Sequence, residues 1–483
     1  MKFLSSFRDR GFWRVTLSLA IPVALQQLLT ASFSLVDTLM VSQLGEFPLA
    51  AVGMAGQFTM LFNMGLFGFC SAAGVFCSQF WGAKDQDGIH RSCGMSLLCA
   101  MLSTMIFLCL GAFSPEFVMG FLTKDSAIVE LGSAYLRIAV WSYPALCLSA
   151  VFSSVLRSCE QVKLPMTVSC ISAVLNGICN YVFIFGKFGF PEMGIEGAAL
   201  ATVASAWCAP VLLCIISLFQ KNILCVSPLR WFAFRLAHIK TYLSKALPVA
   251  MNETLWGFGT FILTAIFTNY STEGYAARTI LGTFENMCFV FFVGLCNAAC
   301  IMIGKSVGEG KTQRAVDDAK RFALLVPVFG LVLGIFIALF RTQLVQIFNL
   351  GENISQTVLD LAGWLMLIYA FHMPVRNVPY IQVVGIFRSG GETFKGTIYD
   401  FVCLWLISIP ITFLSAFVFH LPFPLVFLIM FVSEDYLKCF LCLRYFFTMK
   451  WIKPVTEEGK AGLAEWLAKR EEQNKITEFS AKS

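Results

Sequence analysis

Charge is what this sequence has least of. Asp, Glu, Lys and Arg make up only 13% of its 483 residues, about half the share found in soluble domains. Hydrophobic residues reach 58%, against about 45–50% in such domains. That deficit excludes a water-exposed globule of this length and points to a chain that buries itself in a bilayer. Histidine is scarcer still: with four in all, no metal-ligand spacing forms. The eighteen cysteines lie in apolar runs such as SLLCAMLSTMIFLCL, where a thiol packs as a small hydrophobe. The one C-x-x-C, Cys439 to Cys442, has no second pair and no nearby histidine, which argues against zinc. Phosphate-binding glycine loops are missing, as is any nucleophile–base pair at a recognisable spacing. ATP hydrolysis and enzyme chemistry are thereby set aside.

What is present is a succession of twelve apolar windows, each of about 20 residues or more, the length needed to cross roughly 30 Å of hydrocarbon. They run over 15–40, 49–79, 93–113, 128–156, 165–186, 195–219, 243–269, 275–304, 322–340, 361–387, 397–418 and 422–446. The first is too long for a signal-peptide core and lacks a small-residue cleavage site, so it is expected to be retained. With the N-terminus inside, nineteen Lys and Arg fall in inner segments and three, Lys124, Lys187 and Arg341, fall outside. This positive-inside bias puts both termini in the cytoplasm and accounts for the net charge of +6 without a nucleic-acid surface. The expected organisation is a segment 1–14, a first half 15–220, a linker 221–242, a second half 243–446 and a charged tail 447–483. Leu463, Trp466 and Leu467 at helical spacing predict a surface helix in that tail.

The halves repeat. At an offset of 226 residues LAIPVALQQ meets KALPVAMNE, and the same register pairs Ala51 with Ala277, Gly56 with Gly282, Gly68 with Gly294 and Gly82 with Gly308. Six spans per half make the repeat parallel, an arrangement that secondary transporters use to rock two bundles around a central site. The acids are not repeated: Asp37 matches Leu263 and Glu253 matches Gln27.

Ionisable residues within spans are functional candidates because hydrocarbon makes them costly. Asp37 stands fifteen residues beyond Pro22, roughly 22 Å of helical rise. Asn176 and Asn180 share one helical face, and Thr202 lies on the next span. Together they form an oxygen set suited to Na+ or to a carboxylate that gains and loses a proton; beyond Na+ at Asp37, no metal is expected. In the second half Glu253, Glu285 and Arg376 fall near the midplane, with Glu253–Arg376 the expected pair and Glu285 the weakest functional candidate. Trp256 joins Phe62, Met64 and Phe289 as an adaptable aromatic and thioether lining. Pro22 and Pro248 free backbone carbonyls and permit bending. A coupling site, a substrate site and structural glue all stay open at this point.

In their order and spacing, AIPVALQQ…VDTLMVSQLG, AAVGMAGQF, SQFWGAKD, VLRSCEQVKLPM, NGICNYVFIFG with MGIEGAALAT, and GIFRSGGETFK resemble the multidrug and toxic compound extrusion (MATE) transporters, across about residues 14–450. The resemblance implies an all-α integral membrane protein with twelve transmembrane helices in two pseudo-symmetric six-helix bundles around a V-shaped cavity. It implies an antiporter that exports amphipathic, cationic drugs or toxins in exchange for H+ or Na+. No cofactor beyond the coupling ion is implied, and the expected setting is a monomer among the lipids of a bacterial plasma membrane. The family's first-half cation site falls on Asp37, Asn176, Asn180 and Thr202, and its seventh-span glutamate on Glu253. Three positions depart from the pattern. His372 and Arg376 stand where a tenth-span acid is expected, Asn180 replaces an aspartate, and Glu392 replaces the usual aspartate of the GETFK loop. The alternative is a flippase for a lipid-linked precursor, which calls for a cavity rich in Lys and Arg; Arg376 alone supports it thinly.

Overall fold

The computed structural model describes residues 9–346 and 355–482; residues 1–8 of the expected N-terminal segment and Ser483 lie outside them. All twelve apolar windows are helical, as a backbone in lipid must be when no water is there to bond its N–H and C=O groups. The first six are α1 (Arg10–Ser42), α2 (Glu46–Gly82), α3 (Gln86–Phe113), α4 (Ser126–Ser158), α5 (Lys163–Phe185) and α6 (Gly194–Gln220). The second six are α7 (Leu236–Tyr270), α8 (Thr272–Gly308), α9 (Thr312–Gln346), α10 (Gln356–Phe387), α11 (Phe394–Val418) and α12 (423–447). The tail forms α13 (Glu457–Lys482). Among the described residues there is no strand, only an isolated bridge between Gly391 and Ile452. Ten of the twelve are apolar enough to cross a membrane by composition alone. The other two are α7, with Asn252 and Glu253, and α12, with Glu434, Asp435 and Lys438. Pro22 and Pro248 lie inside continuous helices.

The chain packs into two compact units that cut across the sequence halves. One comprises Pro22–Cys77 and Asp85–Thr254; the other takes the chain up to Ile21, Ser78–Lys84 and everything from Leu255 onward. Helix α1 therefore changes unit at Pro22, and α7 changes unit six residues after Pro248.

In the first unit Phe62 stacks on Tyr143, ring centroids 4.3 Å apart. The buried Tyr242 hydroxyl donates to the Phe69 carbonyl at 2.9 Å. Gly68 is obligatory where α2 meets α7, because a Cβ there would stand 2.3 Å from the Ala250 Cα. The linker is docked rather than loose: His90 on α3 bonds the Ile223 carbonyl at 2.9 Å.

In the second unit the ends of α2 and α8 touch through repeat-related residues. A Cβ on Gly82 would lie 2.1 Å from the Lys305 carbonyl oxygen, and one on Gly308 would lie 1.9 Å from that of Gln79. Gln79 and Lys305 are themselves 226 residues apart, so the contact obeys the symmetry of the repeat. The Gln79 amide then donates to the Ser389 carbonyl and accepts from the Val455 N–H, both at 2.8 Å. A strap at 451–456 follows α12, anchored by the fully buried Trp451 and by Lys453 N–H bonding the Gly390 carbonyl at 2.6 Å.

Glu392 locks this strap. Its carboxylate, 3% exposed, accepts from the Phe394 and Lys395 N–H groups at 3.0 and 3.1 Å, from the Tyr445 hydroxyl at 3.0 Å and from the Lys453 ammonium. Burial alone would raise its pKa, but Lys453, Lys395 and Tyr445 outweigh that and hold it below the ordinary glutamate value. The GETFK change is therefore a structural cap. A group depressed in the folded state adds stability that is complete above its unfolded pKa, about 4.3 for Glu, and lost as pH falls through the folded value. We expect Glu392→Gln to cost about 1–3 kcal/mol at pH 7, and the gap from wild type to close as thermal unfolding in detergent is followed below about pH 4.

Candidate functional site

Two polar clusters occupy the spans, one in each compact unit. In the first, α1 carries Asp37 and α5 carries Asn176 and Asn180 one turn apart. The Asn180 amide donates to the Asp37 carboxylate and, at 3.3 Å, to the Asn176 carbonyl oxygen. Asn176 in turn donates to the Ser205 hydroxyl on α6 at 3.2 Å. Thr202, one turn from Ser205, bonds its hydroxyl back to the Ala198 carbonyl at 3.0 Å, and its own carbonyl accepts from Ser205 at 3.1 Å. The structure thus brings Asp37, Asn176 and Asn180 into direct contact and adds Thr202 through Ser205. Two residues were missed by sequence reasoning: Ser205, and Tyr135 on α4, which packs against the buried Val41, Ile184 and Ala198. The small polar residues of GAALATVAS were the available signal for Ser205; a tyrosine in an apolar run gives none.

Val41, Ile184 and Ala198, each four residues along its helix from Asp37, Asn180 or Thr202, pack together as a buried apolar cluster. Asn180 is completely buried, and its carbonyl oxygen has no hydrogen-bond partner. An orphaned acceptor of this kind normally costs about 1–3 kcal/mol. Beside a carboxylate and a second amide oxygen, it gives an oxygen-rich corner with one acceptor unused. That fits Na+, and it equally fits a proton on Asp37, since a protonated carboxyl can donate to the amide oxygen.

In the second cluster Arg376 meets Glu285, and Glu285, 8% exposed, also binds Arg278 at 2.8 Å; Glu253, the expected partner of Arg376, belongs to the other compact unit. The Arg376 guanidinium lies over Phe431 at 4.6 Å and over Tyr369 at 5.4 Å, which replaces part of its hydration. Deeper along α12, Lys438 pairs with Asp400 on α11. Glu434 and the buried Asp435 stand four and three residues before Lys438 on the same helix. Both sit in a π-helical turn of α12, Val432–Tyr436, an irregularity common at functional sites. His372 is buried, bonded to the Ile368 carbonyl at 2.8 Å and stacked on Phe431. Arg278, Asp400, Glu434, Asp435 and Lys438 escaped the sequence reading, although Glu434 and Lys438 at i, i+4 were a usable signal. Glu253 is half-buried and Trp256 44% exposed on α7. They fall in different compact units. Among the described residues no three His, Cys, Asp or Glu side chains converge as a metal-binding group.

Removing one member of a buried ion pair strands its partner, at about 3–5 kcal/mol. Glu285→Gln leaves two arginines without their carboxylate, so we expect a loss of that size in reversible unfolding from detergent micelles.

The MatE family model matches residues 22–182 and 248–414, one copy in each half of the chain. A probable multidrug resistance protein NorM from Thermotoga maritima is 24% identical over 441 residues, covering 90% of this chain and 92% of its own length. The multidrug resistance protein MdtK of Pectobacterium atrosepticum is 26% identical, with 83% of this chain and 86% of its own length covered. Among solved structures, the Vibrio cholerae MATE transporter VcmN in its bent form superposes with a TM-score of 0.80 at 18% identity, over 92% of this chain and 99% of that one. A MOP superfamily transporter from Pyrococcus furiosus, described as having a binding pocket of reverse polarity, gives 0.79 at 18% identity, over 90% and 95%. These likenesses show the twelve-helix fold. The chain belongs to the MatE family, and it is a multi-pass membrane transporter rather than an enzyme.

Proposed function

We propose that this transporter exports amphipathic, cationic drugs or toxins in exchange for H+ or Na+, with Asp37 as the coupling carboxylate. The observation that carries this reading is the bond from Asn180 to Asp37 beside an unused amide oxygen. A cation arriving at Asp37 competes for the electron density that now accepts the Asn180 N–H. The amide then turns its carbonyl toward the new positive charge or O–H group, so the α1–α5 contact differs between the empty and loaded states. Pro22 gives α1 a place to respond. Its missing N–H leaves the Ser18 carbonyl without its helical partner, and α1 changes compact unit at that residue.

Relatives named for multidrug resistance support export of varied small molecules. The charges of the second polar cluster support a cationic cargo over a phosphate-bearing one. Glu285, Asp400, Glu434 and Asp435 outnumber Arg278, Arg376 and Lys438, which is not the basic lining a lipid-linked phosphate would require. Glu253, Trp256, Glu285 and Arg376 are the groups we assign to substrate contact or gating. The protein works as a monomer in a bacterial plasma membrane, with both termini in the cytoplasm.

Efflux of a fluorescent organic cation from liposomes, driven by an imposed Na+ or pH gradient, tests this. Wild type responds to one gradient, Asp37→Asn falls to the rate of empty liposomes, and Pro22→Ala slows. Normal transport by Asp37→Asn would make the carboxylate structural, and full transport by Pro22→Ala would remove the hinge.

A further inference from the structure

The start of α1, the α8–α9 turn and the tail helix build a cavity away from both polar clusters. A groove of about 1040 Å³ runs between the start of α1, the first turns of α9 and the tail helix α13. Its tail wall is fixed in place. Gly462 is pressed so closely on the turn that a Cβ would lie 2.1 Å from the Gly310 carbonyl oxygen. Trp466 donates its indole N–H to the Gln313 side chain at 2.8 Å.

Six cations line the groove: Lys311, Arg314, Lys320, Arg321, Lys469 and Arg470, against four carboxylates. Most are spoken for. Arg321 binds Asp318 at 3.1 Å and Asp9 at 3.3 Å, Arg314 reaches Asp318 at 3.9 Å, and Lys469 binds Glu465 at 2.6 Å. Lys311 binds Glu309 at 2.7 Å, and the fourth lining acid, Asp317, accepts from Gln313 at 3.0 Å. Lys320 and Arg470 have no carboxylate within 4.0 Å among the described residues. Arg470 instead lies over the Trp466 ring at 5.3 Å. Apolar side chains line it too, at the ends of the membrane-crossing helices α1 and α8: Val15, and the buried Met302 and Phe12, the last under the Arg321 guanidinium at 5.0 Å.

Apolar ends of membrane-crossing helices beside a lining with more cations than carboxylates match a phosphodiester with acyl chains attached. We propose that this groove binds the headgroup of an anionic phospholipid of the inner leaflet, with Lys320 and Arg470 holding the phosphate. The proposal rests on the reading that the termini face the cytoplasm, where the leaflet attracts basic segments, and it is independent of the coupling role of Asp37. Lipid bound at this groove ties α13 to the start of α1 and to α9. The tail, which the sequence marks only as a surface helix, thereby becomes a lipid-reading element.

Native mass spectrometry of the full chain, released from detergent with phosphatidylglycerol or phosphatidylcholine added, tests it without any transport measurement. Wild type retains phosphatidylglycerol preferentially, and Lys320→Gln combined with Arg470→Gln reduces that preference by roughly tenfold or more. Lys187→Gln, in the loop between α5 and α6, leaves it unchanged. Either single variant, read the same way, carries the test if the double variant does not fold. Three results would overturn the proposal: no preference in wild type, an undiminished preference in the variants, or displacement of the lipid by inorganic phosphate, which would make this a free-anion site.

Discussion

The bond between the Asp37 carboxylate and the Asn180 amide sets the terms for the rest of the first polar cluster. A carboxylate in a span must be bonded, or it takes up a proton or a metal ion. Here one side of it is held by an N–H that itself belongs to an amide chain running Asn180, Asn176, Ser205. Among the described residues the Asn180 carbonyl oxygen has no hydrogen-bond partner. In the coupling role proposed for Asp37, that oxygen is the one an arriving cation takes.

The second unit solves the same problem differently. Glu285 is clamped by two arginines, both of which rest on aromatic faces, and Lys438 closes on Asp400. Buried pairs of this kind seldom add net stability over apolar side chains of the same size, but they are costly to break. They therefore define a geometry more than they strengthen it. The two repeats share a backbone plan, visible where Gly82 and Gly308 each meet the other helix's carbonyl, while their polar contents have diverged into an amide-lined acid and an ion-pair chain.

The parts of this arrangement that were legible in the sequence are those set by local chemistry. Apolar length located twelve helices, since a lipid-embedded backbone has almost no other choice. The i, i+4 spacing of Asn176 and Asn180, with Asp37 as the sole acid between Pro22 and Leu44, was enough to assemble the first cluster. Partner choice across helices was not legible. Arg376 lies in α10, and no spacing rule distinguishes Glu285 on α8 from Glu253 on α7 as its mate, because that depends on how helices rotate about their own axes. Arg278 and Asp400 were hidden for the same reason, near span ends where each alone looks incidental. Glu392 looked like a neutral loop replacement until the strap bearing Lys453 was placed over it. The groove needed three segments far apart in sequence.

If Asp37 is the group through which cation and substrate communicate, their binding is linked and the linkage is reciprocal. The most direct test is to add a tight-binding organic cation to purified protein in weakly buffered detergent and record the protons, and with a sodium electrode the Na+, that appear in solution. The account predicts release of one of the two ions on substrate binding by wild type and none by Asp37→Asn. Substrate binding without release from wild type, or equal release from the variant, would contradict it.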